Sequence, residues 1–113
     1  MEAFRTLILN TLEDAKAEDT LVIDLVGKSS IADSMIVTSG RSSRHVSAIA
    51  EQTLTAIKHA NFGDVHMEGR QSADWVLIDA GDVIVHIFRP EVRAFYNLEK
   101  MWTSELPEDR LAD

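Results

Sequence analysis

The sequence contains no cysteine, which excludes disulfide scaffolds, thiol nucleophiles and thiolate-held zinc or iron–sulfur sites together. Basic residues are scarce: 11 Lys and Arg stand against 19 Asp and Glu, for a formal charge of −8. Neutralising phosphates takes clustered Lys and Arg, so the chain is a poor generic binder of nucleic acid or anionic membrane and suits a basic partner better. No apolar run approaches the ~20 residues that cross a bilayer. The start, Met1-Glu2-Ala3-Phe4-Arg5, lacks a charged-then-apolar export pattern, and the acidic residues up to Asp14 are unlike an organelle presequence. The expectation is a cytoplasmic chain. With 113 residues it is the size of one domain.

What is present is periodic. Phe4, Leu7, Ile8, Leu12 and Ala15 recur at the spacing of one helix face. Leu21 to Val26 is β-branched and nearly all apolar, and reads as an interior strand. Met35 to Thr38 is a second short strand ending at Ser39-Gly40, and Val46, Ile49, Ala50, Leu54 and Ile57 mark a second helix, with Ser42 or Ser43 as its N-cap. A weak strand at Val65 to Glu68 precedes the clearest signal in the chain. Trp75 to Asp79 and Val83 to Phe88 flank Ala80-Gly81-Asp82, a hairpin with glycine at its turn. Pro90 sits where helices favour proline, and Val92, Phe95, Tyr96 and Trp102 suggest a last helix. The order α-β-β-α-β-β-β-α predicts an α/β fold, a mixed sheet of about five strands flanked by helices. One domain is expected over residues 1–102, followed by a loose acidic tail over 103–113.

The hairpin's two faces differ. With a two-residue turn at Gly81-Asp82, Val76, Ile78 and Ala80 share a wholly aliphatic face with Val83, Val85 and Ile87. The opposite face gathers Trp75, Leu77, Asp79, Ile84, His86 and Phe88. Rings mixed with a few polar groups are the composition of interface hot spots. The same mixture also fits a face covered by the last helix, with His86 a hydrogen-bonded core residue, and the pattern alone does not choose. A three-residue turn would exchange the faces.

Ser39-Gly40-Arg41-Ser42-Ser43-Arg44 has the ingredients of a weak anion site at Gly40, Ser42 and Ser43, although an ordinary helix cap uses the same residues more often. It lacks the spacing and lysine of a P-loop. His45, His59, His66 and His86 are scattered, no serine sits in a Gly-x-Ser-x-Gly elbow, and Asp24, Asp33, Asp79 and Asp82 are not alternate residues of one strand, as a metal pair would be. No catalytic residue, metal site or cofactor is expected.

Three segments together carry a family resemblance. Gly27-Lys28-Ser29-Ser30-Ile31-Ala32-Asp33 with Ser39 to Val46, then Asp74 to Phe88, then Tyr96-Asn97-Leu98-Glu99-Lys100-Met101-Trp102 resemble, in order and spacing, the signatures of the ribosomal silencing factor (RsfS, or Iojap) family. Ser34-Met35 stands where an aromatic residue is common in that family, and Arg70-Gln71-Ser72 lies in a variable loop. The resemblance implies a nucleotidyltransferase-like topology without catalysis. It further implies binding to the large ribosomal subunit through its fourteenth protein, blocking the small subunit and lowering translation when nutrients run short. On that reading Trp75 and Phe88 are apolar anchors. Asp74, Asp79 and Glu99 meet basic groups, and His86, Tyr96, Asn97 and Lys100 supply polar contacts. Two alternatives remain open: a nucleotide-handling enzyme built on the Gly40 loop, and a homodimer that pairs through the hairpin face.

Overall fold

The computed structural model describes residues 2–27, 30, 32–61 and 63–96. Their elements are α1 (Glu2–Asp14), β1 (Glu18–Asp24), β2 (Ser34–Ser39), α2 (Ser43–Ala60), β3 (His66–Glu68), β4 (Trp75–Asp79), β5 (Val83–Phe88) and α3 (Pro90–Tyr96). The five strands form one sheet in the order β1-β2-β5-β4-β3. All pairings are antiparallel except β2 with β5, which is parallel. The expected mixed α/β architecture is therefore present. The expected tail over 103–113 lies outside the described residues, as does Trp102.

Both central strands are buried along their whole length, because apolar side chains leave them on both faces and both faces are covered. On one face Ile36, Val76, Ile78, Val83, Val85 and Ile87 pack against Phe4, Ile8 and Leu12 of α1 and Val46, Ile49, Ala50 and Ile57 of α2. Each of these Val, Leu, Ile and Phe side chains contributes roughly 1.5–3 kcal/mol by leaving water. On the other face Ile23, Leu25, Ala32, Met35, Val37, Ile84 and Phe88 form a second cluster, flanked by the partly exposed Leu21, Trp75, Leu77 and Val92. Among the described helices only α3, through Val92, packs on this second cluster.

One expectation is corrected. The Leu21–Val26 run is not interior: β1 is an edge strand, with Val22 38% exposed, and Val26, past the strand's end, is 66% exposed. A β-branched run reports strand propensity, not place in the sheet. Glu18, Asp19 and Asp24 on the same strand are the charges that guard an edge against further pairing.

Local chemistry explains the boundaries. The end of α1 is a Schellman turn: Lys16 takes φ of 65°, its N–H bonds the Glu13 carbonyl at 3.0 Å, and the Ala17 N–H reaches the Leu12 carbonyl at 2.9 Å. For α2, Ser42 is the N-cap, its hydroxyl accepting from the His45 N–H, and Asn61 closes the helix in the left-handed region.

Candidate functional site

The turn between β4 and β5 sets which residues face outward. Asp79 accepts from the Gly81 N–H at 3.0 Å, Gly81 adopts φ of +84°, and the Ala80 N–H bonds the Val83 carbonyl at 3.0 Å. This is the two-residue loop the sequence predicts. Trp75 consequently lies opposite Phe88, Leu77 opposite His86 and Asp79 opposite Ile84, all on the face away from α1 and α2.

At the open end of the hairpin three rings are layered. Trp75 stacks on Phe88 with centroids 4.9 Å apart and planes 29° from parallel. His86 stacks on Phe88 at 5.9 Å and lies tilted to Trp75 at 5.8 Å. The Trp75 Nε1–H donates to His86 Nδ1 at 3.0 Å, which fixes the tautomer: Nδ1 accepts, so the imidazole proton sits on Nε2. The immediate cross-strand neighbours of His86 are Val37 and Leu77. In this apolar setting desolvation lowers its pKa from 6.5 to about 4, since burial disfavours the charged imidazolium.

The rim is built by Asp74 and Arg89. The Arg89 guanidinium donates to the Asp74 carboxylate at 2.7 Å and, at 3.4 Å, to Glu91, while the Arg89 backbone N–H bonds the Asp74 carbonyl at 3.0 Å. Arg93 of α3 donates to the Ser39 hydroxyl at 2.8 Å, tying the helix to the end of β2. Gly69 lies against the backbone of Trp75: at φ of +86°, a β-carbon there would collide with the Trp75 carbonyl.

The predicted site residues are thus only partly brought together. Trp75 is partly exposed, as an anchor must be. Phe88 is fully buried and His86 is 7% exposed, so their expected roles as an apolar anchor and a polar contact need correction; both lie beneath Trp75, covered from the β2 side by the second cluster. Asp74 is engaged with Arg89. Asp79 belongs to the turn, ~13 Å along the strand from Trp75. Tyr96 ends α3, while Asn97, Glu99 and Lys100 lie outside the described residues. Sequence reading missed Arg89, although a cation directly after an apolar strand, facing an acid at the start of its hairpin partner, was the signal.

The loop at Gly40, Ser42 and Ser43 is occupied with its own chain. The Gly40 N–H bonds the Phe88 carbonyl at 2.9 Å, the Arg41 N–H bonds His45 Nδ1 at 2.9 Å, and the Ser42 hydroxyl is the helix cap. His45 Nε2–H in turn donates to the Ala15 carbonyl at 2.9 Å, satisfying an end group of α1. The geometry is that of a cap that clamps α1 to α2. Among the described residues there is no group of three or more His, Asp or Glu side chains placed to hold a metal ion, and no helix long and apolar enough to cross a membrane.

These features define a small mixed α/β domain with a ring-bearing sheet face. The family model described as "Ribosomal silencing factor during starvation" matches residues 2–113. Ribosomal silencing factor RsfS of Zymomonas mobilis is 52% identical over 89% of this chain and 76% of its own length. The RsfS protein of Haemophilus influenzae is 44% identical over 84% of this chain and 93% of its own. A mouse relative, named mitochondrial assembly of ribosomal large subunit protein 1, is 31% identical over 94% of this chain and 48% of its own. A crystal structure of a Chromobacterium violaceum protein superposes with a TM-score of 0.89 at 37% identity, covering 95% of this chain and 89% of that one. The chain belongs to the RsfS family of ribosomal silencing factors.

Proposed function

We propose that this domain docks on the large ribosomal subunit, through its fourteenth protein, and sterically prevents the small subunit from joining. The observation that carries the reading is Trp75: a partly exposed indole held on a rigid two-ring base, on the sheet face that the two long helices leave uncovered. Large aromatic anchors on rigid elements dominate interface energies, because little conformational entropy is lost when they bind. The chain charge of −8 favours a cationic ribosomal partner. The mouse relative's name, which refers to the large ribosomal subunit, points the same way. On this reading Tyr96, the last residue of α3, and Asn97, Glu99 and Lys100, which come next in the sequence, add to the same contact. Occlusion requires only occupancy by a body of 13.8 Å radius of gyration and no catalytic step.

A subunit-joining assay tests this. Purified subunits are mixed with the protein and resolved on a gradient; joined particles should fall as the protein is added. Trp75→Ala should bind large subunits about thirtyfold more weakly or worse, the effect of losing a hot spot of ~2 kcal/mol or more. Normal joining at saturating protein would overturn the proposal, and a folded Trp75→Ala that co-sediments like wild type would overturn the assigned surface.

A further inference from the structure

The indole of Trp75 spends its single hydrogen-bond donor inside the domain. An exposed tryptophan commonly offers a partner both a ring face and an N–H. Here the N–H is turned onto His86 Nδ1 at 3.0 Å, while Phe88 supports the ring at 4.9 Å. His86 is itself held: it lies in β5 between Val37 of β2 and Leu77 of β4, and its ring stacks on Phe88. An acceptor fixed in this way selects one orientation of the indole before any partner arrives. What remains outward is carbon.

From this geometry we infer that His86 is a positioning residue for Trp75, locking the indole N–H inward so that the ribosomal partner meets the exposed carbon of the indole and recognises it with an apolar side-chain stem rather than with a hydrogen-bond acceptor. The inference rests on the docking role proposed for Trp75. Preorganisation raises affinity by removing the ordering cost from the binding step. The lowered pKa of His86, about 4 from desolvation, keeps Nδ1 an acceptor throughout the neutral range.

Two variants separate this role from simple packing. His86→Leu keeps the bulk and removes the acceptor; His86→Asn places an amide oxygen near the position of Nδ1. Both are measured for large-subunit binding and for the Trp75 indole N–H resonance, assigned from the spectrum of Trp75→Phe. In wild type this proton should exchange slowly with solvent. His86→Leu should expose it and bind about tenfold more weakly, and His86→Asn should restore both protection and binding to within about threefold. If His86→Leu binds as wild type while Trp75→Ala does not, positioning is refuted and the docking surface stands. If Trp75→Ala also binds as wild type, the docking surface itself is wrong. If His86→Asn protects the proton but binds as weakly as His86→Leu, the acceptor is not what matters. Should His86→Leu fail to fold, wild type alone decides. Titrating the folded protein toward pH 4 should release the indole proton as His86 is protonated, and a resonance that stays protected through that step would refute the hydrogen bond.

Discussion

Burying a neutral histidine makes the stability of this domain depend on pH in a window set by one residue. In the unfolded chain His86 has the ordinary pKa of 6.5, and in the fold desolvation lowers it to about 4. Between those values the unfolded chain binds the additional proton, so stability rises with pH there. The contribution is fully present above pH 6.5, is lost progressively as pH falls toward 4, and changes no further below that. At about 1.36 kcal/mol for each tenfold change in proton affinity, the whole loss amounts to roughly 3 kcal/mol. That is a large part of the ~5–15 kcal/mol that holds a domain together. Urea unfolding of wild type and His86→Asn at a series of pH values from 4 to 7.5 isolates it, because the carboxylates titrate in both proteins and cancel in the difference. The wild-type curve should fall more steeply with acid, the two converging by roughly 3 kcal/mol across the window. Parallel curves would refute the burial of His86 as a neutral ring.

Two further substitutions test the local chemistry. Ser42→Ala removes the cap of α2 and should cost ~1 kcal/mol in thermal or urea unfolding; a change under a few tenths would mean that the His45 clamp alone holds the helix start. Gly69→Ala drives a methyl group against the Trp75 carbonyl at a left-handed φ and should destabilise the fold by about 1–3 kcal/mol, with the Trp75 indole resonance shifted; an unchanged spectrum would show that the loop yields without moving β4.

The hairpin and its register were legible because the signals that set them are local. Glycine at the turn, the Asp79 carboxylate beside it and a strict alternation on each strand agree on one pairing. The Ser42 cap was legible for the same reason. What escaped was everything decided by distant elements. Leu21 to Val26 has the composition of a central strand, yet its neighbours in the sheet were fixed by the parallel pairing of β2 with β5, which no local pattern announces. Phe88 and His86 alternate with buried aliphatics just as Trp75 does. Their burial depends on β2 lying alongside β5 and on Val92 folding back, so the pattern identified the ring-bearing face without ranking its members by depth. The Asp74–Arg89 pair, with side chains 45% and 30% exposed, stays near the surface and contributes at most about 1 kcal/mol; its importance is that it orders the end of the strand that carries Trp75.

The parallel seam between β2 and β5 also governs how the molecule comes into being. During synthesis the N-terminal helices and the first two strands emerge well before the strand that must lie at the centre of the sheet. Until it arrives, β2 has only β1 beside it, and the apolar sides of α1 and α2 have an incomplete surface to rest on. Contacts between distant parts of a chain slow folding, and half-made sheets expose edges that invite mispairing. This small protein therefore acquires its structure late and nearly all at once, when the last strand slots into the middle.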